Sequence, residues 1–248
     1  MSKQINEQIK PYADLLGIRN RSAQFAGANL RGIDLRSADF SYGNFGGADL
    51  RWANLRWTKL TDAYLKGADL RMADLEWAGL HEANLQDTDL RGANLTHARF
   101  CDANLEGSNL HEAELGDASM IYANFSGANL QNTYCQGARL CGSKFIGADL
   151  RGADLTHADL CSATFQDTDL RGANLREANA YEEYYKATFQ NADLRGADLS
   201  GANLQYANLI GTDLRGANLE NTDLRGIRVD SPNGKHYQWS KRNELREE

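Results

Sequence analysis

Apolar residues return along this chain at every fifth position. From Phe25 to Leu175 each such position is Leu, Phe, Met or Cys, and the residue two places before it is nearly always small. Asp or Asn usually stands between them, so the unit reads A-(D/N)-L-x-x, as in "GADLRMADLEWAGLHEANL". A period of five suits neither regular element. On an α-helix successive Leu residues would sit about 140° apart, and on a strand odd spacing would send them to alternate faces. All of them can face one core only if the chain turns once per unit, and Asp, Asn and Gly are turn residues. The pattern predicts a coiled solenoid with very short sides.

The number of sides follows from columns of like residues. Phe25, Phe45, Phe125, Phe145 and Phe165 recur at a spacing of twenty, and so do Leu30, Leu50, Leu70, Leu90, Leu110, Leu130, Leu150 and Leu170. Behind those leucines run Arg31, Arg51, Arg71, Arg91, Arg151 and Arg171. Positions twenty apart are stacked neighbours, so each coil has four sides. The count gives about ten coils, a rod of roughly 48 Å at a strand spacing of ~4.8 Å. The beat breaks once, in "REANAYEEYYKATFQ" (176–190). "TFQDTDLRGANL" (164–175) matches "TFQNADLRGADL" (188–199) at a spacing of 24, which is a coil plus four residues. Ala180 then takes a core position, and "YEEYYK" (181–186) is predicted to leave the wall as an inserted loop.

On these residues the chain resembles the pentapeptide repeat proteins, over roughly residues 23–229. The resemblance implies an all-β fold, a right-handed quadrilateral parallel β-helix with the centre and small residues inside. Residues 1–22 read as a short helical N-terminal cap carrying Ile5, Ile9, Leu15, Leu16 and Ile18, with Pro11 placed to begin a helix and Gly17 to end it. Residues 230–248 read as a C-terminal cap or tail that leaves the rod through "SPNG" and offers Tyr237, Trp239 and Leu245.

Composition narrows the function. The 248 residues carry a net charge of −7, which gives no general attraction to nucleic acid or anionic lipid. No apolar run approaches the ~18 residues of a membrane-spanning helix, and the first residues lack a signal-peptide core. Four Cys without CxxC spacing point to a reduced, cytoplasmic protein. Carboxylates abound because Asp is a turn residue, so they do not mark acid–base chemistry, and no cofactor site emerges. His97 and His157 share an outer column three coils apart, about 14 Å, too far for one metal. Cys141 and Cys161 are stacked on the outer wall and read as two free thiols, whereas Cys135 is buried filling. The arginine column runs beside Asp49, Asp69, Asp89, Asp149 and Asp169 and reads as a solvated charge ladder.

Exposed aromatics carry the functional reading. Trp57 and Trp77 fall at one outward position on successive coils, and Trp52 and Met72 fill the adjacent column. These four are expected to form one apolar cluster on an outer corner, covered by a partner or by the N-terminal segment. Tyr181, Tyr184 and Tyr185 on the loop form a second candidate, unless they pack over Ala180. The leading function is a non-enzymatic scaffold or interaction module with an unidentified protein partner. The alternative, which the resemblance implies for some members, is a DNA mimic that inhibits or protects a type II topoisomerase such as gyrase. Neither direct nucleic-acid binding nor membrane association is expected.

Overall fold

A chain that turns every five residues must satisfy five backbone amides per unit, and the computed structural model, which describes residues 11–230, 236–239 and 245–247, shows how. In the unit around Leu50, the Leu50 N–H donates to Asp69 O at 2.8 Å and the Trp52 N–H to Arg71 O at 3.1 Å, both on the next coil. The Ala53 N–H closes the turn on Leu50 O at 3.0 Å, and the Asn54 N–H reaches back to Ile33 O at 2.8 Å. That leaves the Arg51 N–H, which donates to the Asp49 side chain at 3.2 Å. The Asp or Asn of the motif therefore supplies the one acceptor that the backbone lacks.

Each side is paired through a single residue in parallel register with the residue twenty further on. Four ladders result, beginning at Asp14 (face A), Arg19 (face B), Gln24 (face C) and Asn29 (face D). The product is a four-sided parallel β-helix. Its core is one continuous column in which Leu30, Leu50, Phe125 and Ala180 are all buried. Phe125, Phe145, Phe165 and Phe189 stack face to face, with centroids 5.0, 4.9 and 4.9 Å apart. Polar residues at small positions are satisfied internally, as where Thr58 Oγ1 donates to Leu35 O at 2.8 Å.

The insertion leaves this frame intact. Thr164 pairs with Thr188, and Asp169 with Asp193, before the spacing returns to twenty at Thr188 and Asn208. Ala180 stays in the core while 181–186 run outside the wall.

The N-terminal expectation is corrected. Residues 11–22 are not helical: Asp14 pairs with Asp34 and Arg19 with Asp39. Pro11 and Tyr12 form a turn, with φ 64° at Tyr12, and Gly17 takes the same left-handed place in the next. Both residues suit such a turn as well as they suit helix ends, and Leu15 keeps the five-residue beat. Residues 1–10, with Ile5 and Ile9, lie outside the described residues. At the other end β1 (Arg228–Asp230), β2 (His236–Trp239) and β3 (Leu245–Glu247) form an antiparallel sheet in the order β1-β2-β3. Val229 faces Tyr237 and Trp239 faces Leu245 in the pairing register. Arg228 also pairs with Asn208, which joins the sheet to the rod. The "SPNG" segment lies outside the described residues.

Candidate functional site

Apart from the insertion at 181–186, each corner of the described coils presents its second turn residue outward with a positive φ. The value is 61° at Trp52, Trp57 and Trp77 and 59° at Met72. That conformation costs an L-residue about 1–2 kcal/mol that Gly avoids. Trp57 and Trp77 stack with centroids 5.0 Å apart and planes within 2°. Trp77 continues onto the His97 ring at 4.2 Å, and His97 Nδ1 lies 4.0 Å from Asp117 Oδ2. His97 thus completes the stack, and its spacing of twenty from Trp77 is the signal that points to it. Trp52 and Met72 occupy the preceding corner. The expected single cluster is instead two rows on neighbouring corners that border face A, because five residues carry the chain along one whole side. Trp52, Trp57 and Met72 are 55%, 52% and 47% exposed, and Trp77 is half-buried within its stack.

Turn side chains lean toward the following coil. The Tyr12 ring occupies the place where a Cβ on Gly32 would lie, and Met72 does the same at Gly92, Tyr122 at Gly142 and Tyr206 at Gly226. Beside the Trp57–Trp77 row, on face B, opens a groove of about 360 Å³. Lys59, Gly79 and Arg99 line it, with Thr61 and His81 on its far side.

Face D carries the arginine ladder. Arg51 forks onto Asp49, with Nε at 2.8 Å and Nη2 at 2.6 Å, and reaches Asp69 of the next coil at 3.5 Å. Arg71, Arg91, Arg151 and Arg171 repeat the fork. The hydrogen bonds from Arg51 hold the Asp49 carboxyl below the usual carboxylate range, and those from Arg215 lower Asp213 to about 2. On the loop Tyr184 and Tyr185 are exposed, while Tyr181 packs 6.0 Å from the Tyr206 ring. Ala180 is covered without Tyr184 or Tyr185. Ser162 Oγ donates to Glu182 Oε2 at 2.9 Å and so pins the loop to the coil below.

The cysteine reading is corrected too. Cys141 and Cys161 form a disulfide, their Cα atoms 4.7 Å apart, because the ladder holds stacked positions at a separation that a disulfide spans. Cys141, Asp159 and Cys161 approach a metal-ligand grouping, and the bond takes up two of its three donors. Cys135 is a buried free thiol, pushed up to about 12 by desolvation. His157 Nδ1 lies 3.3 Å from Glu177 Oε2 on the exterior.

The sequence profile of the pentapeptide repeats matches in 8 copies, over residues 21–56, 58–96, 88–121, 123–160, 153–182 and 185–221. The chain belongs to the pentapeptide repeat proteins. Membership implies that the four-sided β-helix is right-handed. No curated protein matches the chain. Among solved structures this pentapeptide repeat protein is similar to HetL of the cyanobacterium Nostoc sp. strain PCC 7120, a protein involved in heterocyst differentiation regulation. The two are 31% identical over 94% of each chain, with a TM-score of 0.56. Rfr23 of the cyanobacterium Cyanothece 51142 is also 31% identical, over 40% of this chain and 60% of its own, with a TM-score of 0.34. QnrB1, a plasmid-mediated fluoroquinolone resistance protein, is 19% identical over 90% of this chain and 93% of its own, with a TM-score of 0.29.

Proposed function

We propose that this pentapeptide repeat protein is a non-enzymatic scaffold that binds another protein through the two tryptophan-bearing corners around face A. The observation that carries the reading is the exposed Trp57–Trp77 stack, flanked by Trp52 and Met72. Solubility and turn conformation both favour small residues there, so a contact is the benefit that offsets the cost. The family is generally non-enzymatic, and HetL, with a similar fold over nearly the whole length, is described in terms of regulation. Among the described residues no helix is long and apolar enough to cross a membrane.

Fluorescence of the Trp239→Phe variant with an aqueous quencher tests the corners. We expect strong quenching of the free protein, and a partner cross-linked in host cells that is lost when Trp52, Trp57 and Trp77 are changed together to Ser. Protection in the monomer, relieved by deleting residues 2–10, would assign the corners to the N-terminal segment and overturn the reading. Mimicry of DNA is the alternative, and the net charge of −7 favours it. Against it, the carboxylates of the face D ladder are matched by guanidinium groups and do not form a phosphate-like row. A gyrase supercoiling assay with and without a quinolone separates the two. No effect is expected.

A further inference from the structure

The groove on face B lies in the longest lapse of a rule that closes most of the wall. Among the described residues, each Asp or Asn before a core residue accepts the turn amide two places on, as Asp49 does for Arg51, Asp74 for Glu76 and Asn94 for Thr96. Face B has Lys59, Gly79 and Arg99 at this position on three successive coils. The amides of Thr61, His81 and Cys101 consequently make no hydrogen bond among the described residues. The run extends through Ser119 and Arg139, whereas lapses on the other faces come singly or in pairs. Among the described residues Lys59 and Arg99 also form no ion pair, unlike the forked arginines of face D. Two stacked N–H donors, at Thr61 and His81, and two free cations therefore line one groove, with the Trp57–Trp77 row as its apolar wall and the Cys101 amide next in the same column.

We propose that this groove binds an acidic, extended segment of the protein partner, whose Asp or Glu carboxylates accept the amides of Thr61, His81 and Cys101. The partner supplies in trans the acceptor that the chain's own Asp supplies elsewhere. Charge-assisted bonds of this kind are short and strong, and stacked backbone amides are anion receptors. The amides repeat at about the ~4.8 Å coil spacing. An apolar residue between the carboxylates would meet the tryptophans. Asp62, Glu82 and Asp102 on the next corner repel any polyanion, so a segment with a few spaced carboxylates and an apolar residue for the tryptophans fits better than a nucleic acid charged at every phosphate. The proposal rests on the scaffold reading and names the chemistry of its partner.

Amide NMR and tryptophan fluorescence of the full chain test it, with a Glu-rich peptide carrying one Phe, its Gln counterpart and an oligothymidylate as probes. The Glu peptide is expected to move the Thr61, His81 and Cys101 amides and to bind at least about tenfold more tightly than the Gln peptide. Gly79→Asp is the decisive variant. A Cβ at Gly79 meets nothing within 4 Å, and its φ is not left-handed, so the new carboxylate can take the His81 amide. It should raise the melting temperature while weakening the Glu peptide about tenfold or more, a combination that misfolding cannot produce. Unmoved amides, tighter binding of the oligothymidylate, or undiminished binding by Gly79→Asp would each overturn the proposal. Equal binding of the Glu and Gln peptides would overturn it while leaving the scaffold reading standing, since that reading falls only with the tryptophan tests.

Discussion

Asp49 shows why a single residue type recurs at one place in this chain: without its side chain the Arg51 amide has no partner. The turn role of Asp and Asn is legible from composition, but which amide they serve is visible only when the other four are accounted for. Inside and outside differ sharply at this scale. Leu110 is fully buried among stacked core residues, and Leu110→Asp would place an unpaired charge there. We expect it to abolish the cooperative thermal transition of the middle coils. Arg91→Ala, which removes an exposed member of the ladder, should barely move the melting temperature. Comparable losses from the two would mean that the faces are misassigned. The forked Asp–Arg pairs, on face D and at Asp34 of face A, also set an acid limit. Asp34, Asp49, Asp193 and Asp213 are held below their ordinary values chiefly by hydrogen bonds from their arginines. A depressed folded-state value stabilises above the unfolded value, ~3.9, and that gain is lost as pH falls through the folded one. Melting temperature should therefore be level between about pH 7 and pH 5 and fall between about pH 4 and pH 2. A decline already complete at pH 5 would locate the acid sensitivity elsewhere.

One coil is the unit of the fold, and the insertion shows its tolerance. The Phe165–Phe189 stack, at 4.9 Å, is as close as its neighbours although four extra residues lie between them. Removing four residues from 181–186 should leave a β-rich protein with one cooperative melt. Loss of that transition would make the loop a structural element. The register across the break was legible because "TFQ" recurs at 24 residues. The first turns were not, since Pro11 and Gly17 signal a helix end and a tight turn equally well, and only the pairing of Asp14 with Asp34 decides between them. The disulfide was hidden for another reason. Spacing shows that Cys141 and Cys161 are stacked and is silent on their oxidation.

Across the whole molecule, the outer faces differ although the inner column is nearly uniform. Face D is neutralised by its arginines, face B opens a basic groove, and two corners carry tryptophan. The aromatic rows were readable from their spacing, but their division between two corners needed the width of a side. The groove escaped notice because its mark is the lack of a common residue, at Lys59, Gly79 and Arg99, and a missing Asp stands out only against the amide it would have served. The lean of the turn residues has a consequence at this scale. Tyr12 over Gly32, Met72 over Gly92 and Tyr122 over Gly142 overlap like roof tiles, all toward the C-terminal end. A tiled surface has a grain, so a ligand lying along it meets these side chains differently from its two ends. The rod therefore carries the direction of its parallel backbone onto its surface, and a binding partner can tell head from tail at these corners.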